Sequence, residues 1–151
     1  MSEQPYRTAA GGDKVELEDQ ITRAIIEKAP DLDGLLSIEW EQSPPACRVE
    51  GPLGKVIVKG ESQLSHQDAV RSAVQQLSHK TKAGLNYAGF GRLWEIRDLS
   101  GDVDEVASVL DRLSMDGYRV VEILPKGEGC RVFAVVADQE TRALAWKPSR
   151  P

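Results

Sequence analysis

The stretch from Leu93 to Ala137 has the clearest pattern of apolar and polar positions in the chain. Residues 93–97 alternate as in a half-buried strand, and residues 102–115 repeat their apolar positions with a helical period. Residues 118–124 and 131–137 are dense in valine, isoleucine and phenylalanine, which favours strands that are covered on both sides or paired centrally. This pattern predicts a strand-helix-strand-strand unit with its last hairpin turn between Pro125 and Gly129.

The helix of this unit carries its own start and stop signals. Asp102 and Glu105 have capping-box spacing, in which a short acceptor covers free N–H groups and the acid three residues later reaches back. Gly117 follows the last apolar position and predicts the left-handed residue that ends a helix. One apolar stripe is predicted to be buried, formed by Val106, Val109, Leu110 and Leu113.

A helix, three strands and a second helix are predicted for the first half of the chain. Apolar residues recur every four positions from Leu17 to Ile25, and Pro30 stops that helix. Alternating segments near residues 36–41, 47–50 and 55–59 predict the strands. The second helix opens at a capping box formed by Ser65 and Asp68, and its apolar face consists of Ala69, Val70, Ala73, Val74 and Leu77.

Together these segments predict an α+β protein with mainly antiparallel sheets. We assign a disordered tail to residues 1–12, an αβββα lobe to 13–82, a glycine-rich connector to 83–92, a βαββ lobe to 93–147 and a second tail to 148–151. The segment 143–145 before Trp146 is predicted to add an edge strand or to dock on the sheet.

The last third of the chain resembles a family of very small, uncharacterised bacterial proteins. Its members read approximately W-E-Y, then L-x-x-L-G-x-E-G-W-E-L-V, then F and a basic residue. The resemblance is carried by residues 94–95, 116–121 and 132–133, together with Leu110 and Leu113. Tyr118 stands in place of the usual Trp, Arg119 in place of Glu, and Ala134 in place of a basic residue. The family implies a βαββ fold and no established activity.

Residues 13–82 are similar to the double-stranded RNA-binding domain. They have its αβββα order, and Ser65, Ala69 and Ala73 match its closing pattern G-x-G-x-S-K-K-x-A-K-x-x-A. The resemblance implies RNA binding. However, the three lysine positions of the pattern hold His66, Gln67 and Val70, and Ser43-Pro44-Pro45-Ala46 lacks the histidine of the family's G-P-x-H turn. Loss of the lysines removes most of the electrostatic contribution to phosphate binding.

Composition and charge restrict the candidate functions. The formal net charge of −5 argues against a chain that binds nucleic acid or a membrane surface strongly, but leaves a local basic patch open. The sequence has no apolar run long enough to span a bilayer and no signal-peptide pattern, so we expect a cytoplasmic protein. Cys47 and Cys130 lie on predicted strands among apolar residues, which favours buried free thiols over a disulfide.

The segment 81–92 is the best candidate site in the sequence. Three glycines interleave with two aromatic residues, and basic residues flank them. A flexible loop of this kind could stack on bases or hold a phosphate on its N–H groups. The alternative interpretation, which we favour, is a connector whose aromatic residues, Tyr87 and Phe90, are anchored in the cores on either side, because no helix N-terminus is predicted to follow it.

No catalytic, metal or cofactor site is predicted. His66 and His79 lie thirteen residues apart on one predicted helix, so their side chains cannot share a metal, and we expect both to be solvated. The sequence contains no Cys-x-x-Cys, His-Glu-x-x-His or Gly-x-Ser-x-Gly motif. The acidic clusters at residues 31–33 and 102–105 fall where helix capping alone predicts acids.

These observations favour a non-catalytic binding or adaptor protein that acts through protein–protein contacts. Open strand edges also favour pairing with another copy, so a homodimer is expected. The second hypothesis is a nucleic-acid-binding protein, and an enzyme with an unrecognised site ranks third. The residues assigned to nucleic-acid binding are Lys55, Lys59, Lys80, Lys82, Tyr87, Phe90 and Arg92.

Overall fold

The computed structural model of this protein describes residues 14–145. The predicted tails 1–12 and 148–151, and Trp146, lie outside this range. Within it the chain is an α+β structure whose order is αβββα followed by βαββ, as the sequence predicts, with additional helices after each part. No helix in the described range is both long enough and apolar enough to cross a membrane.

The first lobe contains two long helices and an antiparallel sheet of order β1-β2-β3. Its elements are α1 (Lys14–Lys28), a 3-10 turn (Pro30–Leu32), β1 (Ser37–Gln42), β2 (Pro45–Glu50), β3 (Val56–Glu61) and α2 (His66–Leu77). The predicted cap of α2 is confirmed, because the Ser65 hydroxyl accepts from the Asp68 N–H at 3.1 Å. Buried apolar residues of both helices and the sheet form one core.

Helix α2 approaches β3 very closely at Gly60. A β-carbon at this position would lie 2.0 Å from the carbonyl oxygen of Ala69 and 2.7 Å from the backbone nitrogen of Ala73. Only glycine leaves room for this contact, and the two alanines present the smallest side chains that a helix can offer. Gly60, Ala69 and Ala73 therefore set the distance between helix and sheet.

The second lobe has a separate antiparallel sheet of order β4-β6-β5. Its elements are β4 (Trp94–Leu99), α4 (Val103–Met115), β5 (Tyr118–Lys126) and β6 (Gly129–Val136). The valine-rich β6 is the central strand, as its continuous apolar sequence predicts. The same prediction is wrong for β5, which lies at the edge of the sheet and is exposed over residues 122–126. The hairpin turn is shorter than predicted and consists of residues 127 and 128 only. The two lobes thus do not share a sheet.

Helix α4 begins and ends at the predicted residues, with one difference in its cap. The Asp102 carboxylate accepts from the Asp104 N–H at 3.1 Å. Glu105 reaches back further than a capping box requires and accepts from the Ser100 N–H at 3.0 Å. Gly117 adopts the left-handed conformation with φ 96°. Leu113 is fully buried against the second sheet, and Val109 and Leu110 pack against the same core while partly buried, which confirms this part of the predicted stripe. Val106 is only partly buried and is not part of that core.

The predicted flexible, glycine-rich connector is wrong in its conformation. Residues Lys82–Phe90 form a helix, α3, which begins at a Thr81 cap and ends at Gly91. Glycine within a helix costs about 1 kcal/mol relative to alanine. At Gly89 the close packing of α3 against Leu32 offsets this cost. Only glycine permits that packing, because a β-carbon on Gly89 would lie 2.5 Å from the Leu32 side chain. Sequence propensity alone could not reveal a helix that depends on this contact.

The interpretation that the connector anchors its aromatic residues in both lobes is confirmed. Phe90 packs against the first core and Tyr87 against the second. Leu85 and Ala83 are fully buried in the first and second core, respectively. The Ala83 N–H also donates to the Asp116 carbonyl at 2.8 Å, just beyond the end of α4. Helix α3 therefore contributes side chains to both cores.

The end of the described chain corrects a second prediction. Residues 143–145 belong to a short helix, α5 (Glu140–Ala145), rather than to an edge strand. It follows a 3-10 turn (Ala137–Gln139) and contacts β6. Ala143 is fully buried, which agrees with the alternative prediction that this segment docks on the sheet.

Candidate protein-binding surface

The residues predicted to bind nucleic acid are distributed over several surfaces. Lys59 lies on the exposed face of the first sheet, where its ammonium is 3.4 Å from Glu41 and 3.1 Å from Glu61. Lys55 is exposed in the turn before β3. The Arg92 guanidinium lies 4.2 Å from the centre of the Phe90 ring, and it is 4.0 Å from the Asp31 carboxylate.

Lys80 and Lys82 come together beside the junction of the lobes. They line a groove of about 410 Å³ that also contains Lys28, His79 and Asp116. The Lys28 ammonium donates to the carbonyl oxygens of Leu77 and Lys80, at 2.6 and 2.7 Å. The Lys82 ammonium is 4.0 Å from Asp116. Tyr87 lines a separate cleft of about 220 Å³.

Ion pairs neutralise the two cations on the exposed face of the first sheet. Arg48 contacts Glu39 and lies 3.8 Å from Glu41 and 3.2 Å from Glu50. The hydrogen bond to Glu39 is the main cause of the raised pKa of Arg48. The pKa of Lys59 is also raised, mainly by the hydrogen bond between Lys59 and Glu61. With four carboxylates around two cations, this face repels rather than attracts phosphate.

His66 corrects the expectation that both histidines are solvated. Its side chain is only 7% exposed, its Nε2 lies 2.8 Å from the Glu41 carbonyl oxygen, and its ring meets Trp40 edge-on with centroids 5.3 Å apart. This histidine therefore fastens the start of α2 to β1. His79 is exposed, as expected. Within residues 14–145 no group of three or more His, Cys, Asp or Glu side chains could hold a metal ion.

The two cysteines are free, as predicted, but they differ in environment. Cys47 is fully buried in the first core, and burial, with a smaller contribution from the charge of Glu18, raises its pKa to about 12. Cys130 is partly exposed on β6. The thiol of Cys47 is therefore held protonated and unreactive at neutral pH.

Within residues 14–145, one face of the second sheet points away from the second core. Val132, Ala134 and Val136 of β6 belong to the second core, so the residues between them point to the opposite side, which we call the outer face. The strand register places three residues of each strand there. Across β4, β6 and β5, the successive levels are Trp94, Val135, Arg119; then Ile96, Phe133, Glu122; then Asp98, Arg131, Leu124.

An apolar patch occupies the middle of this outer face. Ile96 is 53% exposed and Leu124 is 41% exposed, while Trp94 and Phe133 are half-buried. None of these four residues, which we call the outer patch, packs against either core. A contiguous apolar patch on a solvent-exposed surface is characteristic of an interaction site.

Charged residues and α5 surround the outer patch. The Asp98 carboxylate accepts from Arg131 at 2.7 and 3.1 Å and from Lys126 at 2.7 Å. These bonds, that of Arg131 first, hold the pKa of Asp98 well below its usual range. At the other end of the sheet Arg119 pairs with Glu140 of α5 at 2.6 Å. Fully buried Val135 belongs to neither core, and α5 contacts β6, the strand that carries it.

The sequence does not predict this surface, although the alternation in β4 contains a signal for it. The alternation in β4 predicts that Trp94 and Ile96 face inward and that the charged residues face solvent. The orientation is the reverse: Ile96 is exposed, whereas Glu95 and Arg97 lie on the core side, where they pair at 2.6 Å. Apolar residues that alternate with a charged pair can thus mark an interface instead of a core.

No protein-family model matches the chain, and neither a curated protein nor a solved structure is similar to it. The two resemblances noted in the sequence therefore remain predictions, and function is argued from the surface itself.

Proposed function

We propose that this protein is a non-catalytic binding protein that recognises a protein partner through the outer patch. One observation carries the proposal: two aromatic and two aliphatic side chains adjoin on a sheet face that neither core uses. Aromatic residues surrounded by a charged rim are the usual composition of a protein interface. A partner that covers this face removes apolar surface from water, which is the main driving force of protein association.

The chemistry of the patch favours a protein ligand over a nucleic acid. Phosphate recognition requires unpaired cations, whereas Asp98 already neutralises part of the charge of Arg131 and Lys126. Base stacking uses aromatic residues in a basic groove. Here Trp94 and Phe133 are flanked by Ile96 and Leu124 on a sheet, an arrangement that suits apolar side chains.

Site-specific photo-crosslinking in the cells that produce the protein tests this proposal. A benzophenone amino acid replaces Ile96, and the matched control carries it at Glu39 on the exposed, acidic face of the first sheet. Irradiation is expected to give discrete protein adducts from position 96 and none from position 39. Equal labelling from both positions, or no adduct from position 96, would overturn the proposal.

Nucleic-acid binding is the second candidate, and the convergence of Lys80 and Lys82 in one groove favours it. Fluorescence anisotropy with a duplex RNA, measured over a range of salt concentrations, tests this candidate. Its signature is an affinity that falls steeply with salt and is lost when both lysines are replaced by glutamate. Binding that is unaffected by the Lys80→Glu and Lys82→Glu changes would eliminate the groove as the site.

A further inference from the structure

We infer that the junction between the lobes is a separate binding site for a small phosphate ester that carries an aromatic ring, a nucleoside monophosphate. The site does not include the outer patch, so the inference does not rest on the proposed protein partner. It consists of the groove of about 410 Å³ and the cleft of about 220 Å³, which adjoin because His79, Lys80 and Thr81 line both. Small-molecule sites have volumes of about 300 to 1,000 Å³ and are common where two lobes meet.

Two lysines of the groove are partly buried without a carboxylate partner. Lys28 and Lys80 make no ion pair within residues 14–145. In contrast, Arg48 and Arg131, which are also partly buried, contact carboxylates on the two sheets. Removing a charge from water is costly unless an opposite charge compensates it. A bound anion would supply the opposite charge for these two lysines.

The donors around Lys80 suit a phosphate group. The Lys28 ammonium donates to the carbonyl oxygens of Leu77 and Lys80, at 2.6 and 2.7 Å, which fixes its position and leaves its third N–H for a ligand. The Thr81 hydroxyl accepts from the Gly84 N–H at 3.0 Å, so it can still donate its own proton. Hydrogen bonds from ammonium groups to phosphate oxygens are among the strong ones.

The acids of the groove lie outside the part that the two cavities share. Glu27 and Asp116 line the groove but not the cleft, and the Lys82 ammonium is 4.0 Å from the Asp116 carboxylate. The shared segment, residues 79–81, contains a histidine, a lysine and a threonine and no acid. We therefore place the phosphate at this segment.

The cleft provides a suitable environment for the nucleoside. Its apolar and aromatic lining consists of Ile57, Leu85, Tyr87 and Ala88. Asp138 and Gln139 complete the lining and offer acceptor and donor groups to the edge of a base. Stacking of a base on an aromatic side chain tolerates every base, because each has a π-face. The apolar cleft and the basic groove thus match the two halves of a nucleotide.

Contacts between the lobes fix the walls of the site. The Ala83 N–H donates to the Asp116 carbonyl at 2.8 Å, and a β-carbon on Gly117 would lie 2.3 Å from the Thr81 hydroxyl oxygen. A site that is already formed loses less conformational entropy when the ligand binds. Because the groove is open to solvent on one side, we expect a Kd of about 10 µM to 1 mM for adenosine monophosphate (AMP).

Isothermal titration calorimetry of the full chain with AMP tests the site. Inorganic phosphate and adenosine are each expected to bind at least about tenfold more weakly, since each occupies one cavity only. Lys80→Glu should raise the Kd of AMP at least about tenfold. Arg71→Glu makes the same change of charge at an exposed position of α2 outside both cavities, and should leave Kd unchanged. AMP that binds no more tightly than phosphate, or equally well to the Lys80→Glu variant, would overturn the inference.

Gly84→Phe tests the cleft separately from the groove. Position 84 lines the cleft, and an added β-carbon there meets only the Thr81 hydroxyl, at 3.3 Å. The larger side chain is expected to reduce the affinity for AMP to that for inorganic phosphate, and to leave phosphate binding unchanged. Unchanged AMP binding would refute the assignment of the nucleoside to the cleft.

Photolabelling of the wild-type chain gives a test that needs no variant. Irradiation with 8-azido-AMP should label peptides that contain residues 84–88 or 138–139, and an excess of AMP should suppress the labelling. Labelling confined to other peptides would refute the site. Duplex RNA binding that is lost in the Lys80→Glu variant, together with no binding of AMP, would also overturn the inference and would favour the nucleic-acid candidate.

Discussion

Replacement of Gly60 by alanine is the most direct test of how the first lobe is packed. The new β-carbon would lie 2.0 Å from the Ala69 carbonyl oxygen, and real contacts of this kind do not fall below 3.0 Å, so strand and helix must separate by about 1.0 Å. The obstructing atoms are backbone, and the Ala69 carbonyl and Ala73 N–H are partners in the helical hydrogen-bond pattern, so neither can rotate away. The shift would open the contacts of fully buried Val70.

Overpacking a close-packed core costs about 1 to 3 kcal/mol, and a backbone obstruction belongs at the upper end of that range. We therefore expect Gly60→Ala to lower the free energy of unfolding by about 3 kcal/mol, which corresponds to a fall in Tm of about 6 to 12 °C for a chain of this length. Urea denaturation followed by circular dichroism measures this change.

Gly84→Ala in α3 is the matched control for the Gly60 variant. An added β-carbon there meets only the Thr81 hydroxyl, at 3.3 Å, and the position is helical. This variant should raise the free energy of unfolding by up to about 1 kcal/mol, because alanine has a higher helix propensity than glycine. If Gly60→Ala is as stable as Gly84→Ala, then α2 does not pack on β3 as described.

Three other outcomes follow from the described side chains. At pH 8 a thiol reagent should modify Cys130 and leave Cys47 untouched until the protein unfolds; rapid modification of both would contradict the burial of Cys47. Asp98→Asn should destabilise the protein at pH 7, and the difference in stability from wild type should shrink below about pH 4, because the unfolded state binds a proton there before the folded carboxylate does. Thermal melts at several pH values measure this difference. A difference in Tm that does not change with pH would contradict the lowered pKa of Asp98. Trp40→Phe should cost about 1 to 2 kcal/mol in urea denaturation, since it deletes the 2.8 Å bond from the indole N–H to Glu18; an unchanged midpoint would show that this bond contributes nothing.

Local patterns determined most of the secondary structure. The cap at Ser65, the positive φ of Gly117 and the central position of β6 depend on neighbouring residues or on a continuous apolar run, so the sequence predicts them. Helix α3 depends on contacts between distant segments. Gly89 packs against Leu32, which lies far away in sequence, so no local sequence pattern predicts that contact. The connector was therefore predicted to be a loop.

The candidate surface was missed for a related reason. Periodicity identifies which residues share a face, but it does not determine whether that face turns towards the core. In β4 the apolar residues face outward, and the ion pair of Glu95 and Arg97 faces inward. Likewise, the basic residues near α3 are adjacent in sequence, yet Lys82 and Arg92 pair with carboxylates from different elements.

The composition of β6 links the fold to the proposed interaction. A strand with no polar alternation is usually covered on both faces, and the apolar sequence from Val132 to Val136 led to that expectation. On the core side, Leu113 of α4 and its neighbours provide the cover. On the outer side, Val135 is fully buried, whereas Phe133 lies next to exposed Ile96. Within residues 14–145 this central strand therefore has apolar residues on both faces, and its outer face is only partly buried. The proposed protein partner would cover Phe133 and Ile96, whereas a central strand with a solvated outer face would carry a polar residue in place of Phe133.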